Sequence, residues 1–374
     1  MSKYKVLIGC TAYGRGNIGD EAIVHAIVQN LTAGSGIDRQ HIKVLTAKPK
    51  QLRERLKVSV GSPRFRFCAK EFVGAEFVVC GGATILSDYT NYFFAKSLIA
   101  VIMRKKVVYF GIGANEIAME YLTRLLIRIG MRFAKLVTVR DEQTKKQLQK
   151  LGIKREIFVM GDPAHSIKEA EPNKINEFFN KHGIEKREKY LVIGLSGEPD
   201  FRDQIPVDEI ANAVKKISER YNLVPIYLAM NFNLDQDRLL LEQVYKKNNN
   251  YGILIAEDVE PEIVFSLLEY AKLIISTRLH LVILGTTKAV PAIGIARGNK
   301  MNNLLGQLKL KVMPSIKDIT EDSLVAEADR IIGNYEAVTQ DIRNGILDIM
   351  QKNQKGFSLL KELLFNQMEG NEKY

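Results

Sequence analysis

The sequence predicts an α/β protein built from two doubly wound, Rossmann-like parallel-sheet domains and a C-terminal helical extension. Short β-rich apolar segments alternate with longer helical patterns, as in a succession of βαβ units. The length of 374 residues favours two domains, at about 150 residues per domain. Hydrophobic residues make up 46% and charged residues 26% of the chain, an ordinary globular composition that excludes wholesale disorder.

The first half contains apolar segments of strand length separated by helical patterns. The predicted strands are residues 5–10, 43–46, 77–80, 107–111, 136–139 and 157–160. The predicted helices are residues 20–31, 92–103, 116–133 and 142–151. We therefore predict an N-terminal Rossmann-like domain over residues 1–170.

The second half repeats this alternation. The predicted strands are residues 190–195, 224–229, 252–255, 273–276 and 290–295. The predicted helices are residues 207–220, 235–246, 261–270, 279–285 and 300–308. A polar segment at 171–187 is the predicted linker, which leaves a C-terminal Rossmann-like domain over 188–316 and a helical extension over 317–374. Two such domains facing one another would bring their strand carboxyl ends to a shared cleft, where ligands of parallel sheets bind.

The charge balance favours an anionic partner. The 54 Lys and Arg residues exceed the 43 Asp and Glu residues, which gives a net charge of +11. The basic residues do not form one block and Trp is absent, so we expect a small phosphorylated ligand or an acidic surface and no nucleic acid.

The cysteines and apolar runs predict a cytoplasmic protein. Cys10, Cys68 and Cys80 lie far apart without a Cys-x-x-Cys pair, which argues against a disulfide framework or a thiolate metal site. The histidine spacing also predicts no metal. The longest apolar run, residues 98–103, is far shorter than the roughly 20 residues needed to span a bilayer.

The loop after the first strand is rich in glycine. Gly14, Gly16 and Gly19 fit the G-x-G-x-x-G pattern of dinucleotide-binding loops. The next strand, however, ends without an acidic residue to hold a ribose, so we do not expect a nicotinamide cofactor. Glycines allow close approach to the backbone, and amides at a helix N-terminus attract anions. A plain β–α turn is the alternative, and in either case we expect Asp20 to cap the helix that follows.

A second glycine pair follows the predicted strand 77–80. Gly81 and Gly82 would let a ligand or another loop approach the backbone. Asp88 lies shortly after them and has two interpretations. Its carboxylate could bind a sugar hydroxyl or act as a base, or it could cap the next helix.

The segment Ser276-Thr277-Arg278-Leu279-His280 follows the predicted strand 273–276 and begins a helix. The guanidinium of Arg278 can hold a carboxylate or phosphate through two hydrogen bonds. His280 can give or take a proton near neutral pH. A solvated helix start is the alternative interpretation.

Two further basic residues lie at strand ends. Lys300 follows the predicted strand 290–295 and could bring a second positive charge to the same edge. Arg140 ends the predicted strand 136–139 and is followed by Asp141 and Glu142. On its own, Arg140 is more simply explained as a salt-bridge partner of one of these acids.

Together these motifs resemble the polysaccharide pyruvyl transferase family. The matching segments run in family order along most of the chain: Gly16-Asn17-Ile18-Gly19-Asp20-Glu21-Ala22, Gly81-Gly82-Ala83 through Asp88, Val139-Arg140-Asp141 with the following Leu148 to Gly152, Asp162-Pro163-Ala164, Asn233 to Asp237, and Ser276 to His280 with Val290-Pro291. The residues before Lys300 read Arg297-Gly298-Asn299, where the family usually has Tyr-Asp-Pro.

The resemblance implies a two-domain fold like that of GT-B glycosyltransferases. It also implies transfer of a pyruvyl (carboxyethylidene) group from phosphoenolpyruvate to a sugar of a cell-surface polysaccharide or its lipid-linked precursor. Arg140, Arg278, His280 and Lys300 fall on positions that look like the family's donor-binding and catalytic residues. His280 is the expected general acid, and no metal or cofactor is expected.

The resemblance does not identify the residues that bind the acceptor sugar or the residue that acts as the general base. The loop and acceptor candidates are the residues of the two glycine-rich segments: Gly16, Asn17, Gly19, Asp20, Gly81, Gly82 and Asp88. The general base could be Asp20, Asp88 or Glu116.

Two other functions fit the same sequence. One is a sugar-nucleotide glycosyltransferase of GT-B type. The other is a non-catalytic adaptor of a polysaccharide assembly complex at a membrane surface, suggested by Arg124, Arg128 and Arg132, which repeat every four residues along one helix face. Such a basic row is compatible with peripheral contact with an anionic membrane at its inner face, although solvated helix faces of this kind are common.

Overall fold

The computed structural model describes residues 4–11, 13–34, 37–82, 84–86, 90–114, 121–198, 204–232, 235–296, 298–313 and 315–365. The chain forms two compact units. The first consists of Met1–Arg15, Asp20–Ile167 and Ile349–Tyr374, and the second of Gly16–Gly19 and Lys168–Asp348. Among the described residues, no helix has the length and apolar character needed to cross a membrane.

The first unit contains a parallel sheet with the order β3-β2-β1-β4-β6-β7-β8, and β5 pairs with β6. Its strands are β1 (Tyr4–Gly9), β2 (Ile42–Leu45), β3 (Ser59–Gly61), β4 (Ala75–Gly81), β5 (Thr84–Leu86), β6 (Lys106–Ala114), β7 (Leu136–Val139) and β8 (Phe158–Val159). Most residues of the central strands are buried and aliphatic or aromatic, as expected for a sheet covered on both faces.

The helices of the first half connect these strands. They are α1 (Ile18–Thr32), α2 (Pro49–Leu56), α3 (Cys68–Val73), α4 (Thr90–Ile102), α5 (Tyr121–Phe133) and α6 (Glu142–Lys150). The strand order reverses direction between β1 and β4, and right-handed crossovers on either side of that point place helices on both faces of the sheet.

The second unit contains a parallel sheet with the order β11-β10-β9-β12-β13. Its strands are β9 (Tyr190–Gly194), β10 (Val224–Leu228), β11 (Ile253–Ile255), β12 (Ala271–Ser276) and β13 (Ala292–Gly294). Its helices are α7 (Pro172–His182), α8 (Val207–Tyr221), α9 (Gln236–Lys247), α10 (Pro261–Leu267), α11 (Leu279–Thr287), α12 (Asn299–Gln307) and α13 (Glu321–Gly333). The last helix, α14 (Tyr335–Phe365), contributes its first 14 residues, 335–348, to this unit.

The predicted fold class is confirmed: both halves are parallel-sheet α/β structures, and helices α13 and α14 follow the second sheet. Every predicted strand is present within a few residues of its predicted bounds. The short elements β3, β5, α2 and α3 were not predicted. The segment predicted as a linker contains α7, whose Phe178 and Phe179 are buried beneath an otherwise polar sequence. The predicted helix over 116–133 begins at Tyr121 among the described residues.

The strand order of the second sheet determines where its polar loops meet. β9 lies between β10 and β12, so the loops that follow these three strands leave the same edge of the sheet side by side. In open parallel sheets this reversal point at the carboxyl ends is where ligands bind.

Gly82 is predicted to be required for stability. Its φ of +64° disfavours any side chain, and a Cβ there would overlap the side chain of Ile23 on α1. Gly82→Ala should cost about 2–5 kcal/mol in the free energy of unfolding, from left-handed strain and overpacking. Gly34 has a similar φ of +59° but open space around it, so Gly34→Ala should cost about 1–2 kcal/mol. Denaturant unfolding of both variants tests this, and equal losses would contradict the packing role of Gly82.

Candidate active site

A buried carboxylate joins the loops that follow β9, β10 and β12. Asp237, in the first turn of α9, has no solvent exposure. Its Oδ1 accepts a hydrogen bond from the backbone N–H of Gly197 at 2.9 Å, and its Oδ2 accepts one from Met230 at 3.3 Å. Arg278 completes the set, because its Nε donates to Oδ2 at 2.8 Å and its Nη2 donates to Oδ1. Asp237 thus connects three loops that are distant in sequence.

Arg278 also binds a second carboxylate. Its Nη1 donates to Oε1 of Glu198 at 2.8 Å. Burial opposes the charged guanidinium, but the charges and hydrogen bonds of Asp237 and Glu198 outweigh this effect and raise the pKa of Arg278. The side chain of Glu198 is 39% exposed, whereas that of Asp237 is fully buried. The three side chains together carry a net charge of −1.

The backbone around Arg278 is fixed by hydroxyl groups. The Oγ of Ser276 donates to the carbonyl of Gly194 at 2.8 Å and accepts from the N–H of Arg278 at 2.9 Å. The Oγ1 of Thr277 accepts from the N–H of Ser196 at 2.7 Å. These bonds attach the end of β12 to the end of β9, so Arg278 begins α11 in one defined position.

His280 packs against the first glycine-rich loop. Residues Gly16–Gly19 belong to the second unit, where Asn17 forms an antiparallel bridge with Asn231. The N–H of Ile18 donates to the carbonyl of Met230 at 2.9 Å. A Cβ at Gly19 would overlap the imidazole of His280 on its Nδ1 side. The glycine is therefore required by the close approach of the histidine ring.

The expectation that Asp20 caps α1 is wrong. The helix begins at Ile18, and the Oδ1 of Asn17 accepts from the N–H of Gly19 at 3.0 Å, which is the hydrogen bond of a capping residue. Asp20 lies in the first turn, where its negative charge interacts favourably with the helix dipole. The first two amides of α1 are used by Met230 and Asn17, so they do not supply the anion site that the glycine pattern suggested.

Lys300 lies in the first turn of α12 and is half-buried. This helix follows β13, which pairs with β12, so Lys300 and Arg278 come after neighbouring parallel strands. Arg297, in the loop before Lys300, lies outside the described residues.

Arg140 is paired within the first unit. Its Nη1 donates to Oδ2 of Asp162 at 3.2 Å, and its Nε lies 3.8 Å from Oδ2 of Asp141. A Cβ at Gly113 would overlap the guanidinium. Its salt bridges thus include Asp141, one of the two predicted partners, and Asp162, which follows the adjacent strand β8. The predicted contact between Arg140 and a phosphoenolpyruvate substrate stays a prediction.

The other glycines of the first unit support packing. Gly14 has a φ of +77°, and its N–H donates to Oε1 of the buried Glu21 at 2.6 Å. The carbonyl of Gly81 accepts from the hydroxyl of Tyr13 at 2.8 Å. Gly82 faces Ile23, as described above, so a neighbouring helix and loop approach this glycine pair. Asp88 and Glu116, predicted as candidate bases, lie outside the described residues.

Sequence reasoning missed Glu198 as a partner of Arg278. Asp237 was within a matching motif, but its bonds to Gly197, Met230 and Arg278 were not predicted. A signal for it was present, since an acid that begins a helix after one strand of a parallel sheet can reach an arginine that follows a nearby strand. Across the described ranges, His, Cys, Asp and Glu form no group of three placed to hold a metal ion.

Comparisons with known proteins point to one family. The polysaccharide pyruvyl transferase family model matches residues 17–299. No curated protein sequence matches the chain significantly.

Solved structures show the fold. MnaA of S. aureus, in a co-structure with UDP, is 12% identical with a TM-score of 0.65, and covers 96% of this chain and 97% of its own. A glycosyltransferase of Rickettsia africae is 11% identical with a TM-score of 0.61, covering 98% of this chain and 100% of its own. The UDP-GlcNAc 2-epimerase of Methanocaldococcus jannaschii is 18% identical with a TM-score of 0.59, and the match covers 87% of this chain and 91% of that protein. At these identities the likeness extends to the fold alone.

Asp237→Asn should strongly destabilise the protein. The change leaves the buried guanidinium of Arg278 without its charged partner, which costs about 3–5 kcal/mol in the free energy of unfolding. Asp208→Asn is the control, because Asp208 pairs with Lys247 on the exposed surface, where a salt bridge contributes roughly 0–1 kcal/mol. Denaturant titration measures both, and similar small losses would show that Asp237 does not hold the loops together.

Glu21→Gln should change the pH dependence of stability. Burial raises the pKa of Glu21 above 4.5, against the opposing hydrogen bond from Gly14. The folded state therefore binds this proton more tightly than the unfolded state, and the wild type loses stability as pH rises from 4.5 through the raised pKa. The glutamine side chain does not ionise, so the variant does not lose this stability. The difference between the melting temperatures of the variant and the wild type should therefore increase in favour of the variant as the pH rises over that range.

Glu76→Gln provides a control of opposite sign. Burial acts to raise the pKa of Glu76, but Lys106 and Lys5 outweigh it and lower the pKa below 4.5. Its stabilisation is present above 4.5 and lost as pH falls through the lowered pKa. Glu76→Gln should lower the melting temperature at neutral pH and converge with wild type in acid. If the melting temperatures of both variants followed the same pH dependence as that of the wild type, these assignments would be contradicted.

Proposed function

Because the chain belongs to the polysaccharide pyruvyl transferase family, we propose that it transfers a pyruvyl group from phosphoenolpyruvate to a sugar of a cell-surface polysaccharide or its lipid-linked precursor. The observation that carries this proposal is the family match over residues 17–299. It includes both Asn17–Gly19 and the Arg278–His280 segment. These two segments pack together in the second unit through Gly19 and His280.

The chemistry balances with the donor and two acceptor hydroxyls alone. A proton adds to the methylene carbon of phosphoenolpyruvate and makes a methyl group. The central carbon then forms bonds to two sugar oxygens, while its bond to the phosphate oxygen breaks. One of the two hydroxyl protons balances the proton taken up by the methylene carbon, and the other leaves with inorganic phosphate. The reaction needs a proton donor, a proton acceptor and cationic groups around a highly charged donor.

His280 is the proposed general acid. Its imidazole packs closely against Gly19 on the Nδ1 side, and this contact restricts the positions open to the ring. A restricted ring delivers its proton to one position, which is what acid catalysis at a single carbon requires. Lys300, after the neighbouring strand, is the proposed second donor ligand. Arg140 is proposed as a further donor ligand on the family resemblance.

Arg278 binds the donor by releasing one of its two carboxylate partners. While both Asp237 and Glu198 are bound, Arg278 offers no net positive charge to an anion. Asp237 is fully buried and also receives two backbone N–H groups, so it stays in place. Glu198 is 39% exposed, so water can solvate its carboxylate when a donor carboxylate or phosphate oxygen replaces it on Nη1. The displaced Glu198 carboxylate then becomes an additional candidate for the base that accepts a hydroxyl proton.

Phosphate release tests the proposed reaction. The protein is incubated with phosphoenolpyruvate and a glycan acceptor extracted from the cell surface of its source, and inorganic phosphate and a pyruvyl ketal on the glycan are measured. We expect both in equal amounts and only with acceptor present. Release of UDP or GDP from a sugar nucleotide, with no phosphate from phosphoenolpyruvate, would support a glycosyltransferase instead, and no turnover with either donor would support the adaptor function.

His280→Gln should reduce kcat by about 10²- to 10⁴-fold, because it removes the proton donor. The KM for phosphoenolpyruvate should stay within a few fold if His280 acts on the proton alone. His182→Gln is the matched control, since His182 lies on α7 and its Nε2 binds Glu257 at 3.1 Å. A rise in KM that matches the loss in kcat/KM, with kcat unchanged, would make His280 a binding residue.

Glu198→Gln should lower the KM for phosphoenolpyruvate by about 5-fold. The Glu198 carboxylate competes with the donor for Arg278, and its partly exposed ion pair contributes roughly 1 kcal/mol that the donor no longer has to overcome. A lower kcat in the same variant would indicate that Glu198 is also the base. Glu219→Gln removes an exposed carboxylate from α8 and serves as the charge control. An unchanged or higher KM in Glu198→Gln would contradict the exchange.

A further inference from the structure

Helix α5 exposes an apolar stripe that the core does not use. Leu122, Leu125, Ile129 and Phe133 are 57%, 39%, 37% and 53% exposed. At 3.6 residues per turn these four positions lie on one side of the helix. We call them the α5 ridge. Contiguous exposed apolar residues of this size are unusual in a globular protein and mark an interaction surface.

A row of arginines runs beside the α5 ridge. Arg124, Arg128 and Arg132 are exposed and repeat every four residues, about a third of a turn away from the ridge. Residues Tyr121–Phe133 contain no Asp or Glu. The helix therefore presents apolar and positively charged stripes side by side.

The remaining side of α5 holds the helix in place. Ile127 and Met131 are buried, and Gly130 allows contact with Phe94 and with the hydroxyl of Tyr109. Within the arginine row, the Nε of Arg128 adds a hydrogen bond to the carbonyl of Leu151 at 2.6 Å. The helix is thus already formed and fixed in its unit, and an interaction with the exposed stripes needs no folding step.

We propose that the α5 ridge and its arginine row form a docking surface for an anionic lipid bilayer. The apolar side chains enter the headgroup region, and the arginines bind lipid phosphates. A second copy of the chain fits less well, because a twofold contact through this helix would bring arginine rows together with no acid on α5 to neutralise them. Nucleic acid would pair with the arginines but would leave the ridge exposed. The inference does not depend on the proposed reaction.

Vesicle sedimentation tests this surface. The full chain is mixed at low salt with phosphatidylcholine vesicles that either contain or lack phosphatidylglycerol. We expect binding only to the vesicles with phosphatidylglycerol. The triple variant Arg124→Gln, Arg128→Gln, Arg132→Gln should reduce the partition coefficient by about 100-fold, at roughly 1 kcal/mol for each arginine. The ridge variant Leu122→Gln, Ile129→Gln, Phe133→Gln should also lose binding with its charges intact.

A charge-matched control lies in the same half of the chain. Lys50 and Arg53 on α2, and Lys57 directly after it, are exposed basic residues, and the leucines of α2 are buried. The triple variant Lys50→Gln, Arg53→Gln, Lys57→Gln should retain most of the binding. An equal loss in this control would mean that net charge alone attracts the protein, and the proposal would fail.

Three other results would also overturn the proposal. They are an absence of wild-type binding to vesicles with phosphatidylglycerol at low salt, full binding by the ridge variant, and a wild-type dimer in light scattering that the ridge variant converts to a monomer. Melting curves check that the variants are folded. The single substitutions Arg124→Gln and Ile129→Gln, each at an exposed position, provide smaller losses of the same sign if a triple variant fails to fold.

Discussion

The second unit depends on the ion pair between Asp237 and Arg278. A buried charge is stable only with a partner and hydrogen bonds, and here each side chain meets that need for the other. The same carboxylate receives N–H groups from the loops after β9 and β10. Three loops are therefore fixed by one buried group. We therefore expect a change at this pair to disturb the positions of the residues that these loops carry.

The pair also positions His280 indirectly. Met230 donates to Asp237 through its N–H and accepts from Ile18 through its carbonyl. Ile18 precedes Gly19, and Gly19 packs against the imidazole. A succession of backbone contacts thus connects the buried carboxylate to the proposed general acid. This explains why a glycine is needed in a loop more than 200 residues before the histidine.

Part of this arrangement could be predicted from the sequence. The alternation of apolar strands and helices gave the fold class, because parallel sheets require it, and the strand ends gave Arg278, His280 and Lys300 as candidates. The partners could not be predicted in the same way, because Glu198, Asp237 and Arg278 meet only through the strand order β10-β9-β12. The error at Asp20 has a local cause, since Asn17, another good capping residue, lies three positions earlier. The helix α7 was missed because two buried phenylalanines are a weak signal in a polar segment.

A structure of the protein with phosphoenolpyruvate bound would test the central claim most directly, namely that Arg278 keeps Asp237 and exchanges Glu198 for the donor. We expect a donor carboxylate or phosphate oxygen within hydrogen-bond distance of Nη1 of Arg278. Asp237 should still bind Nε and Nη2, and the Glu198 carboxylate should be displaced. Phosphoenolpyruvate bound elsewhere, with Glu198 still on Arg278, would contradict the account.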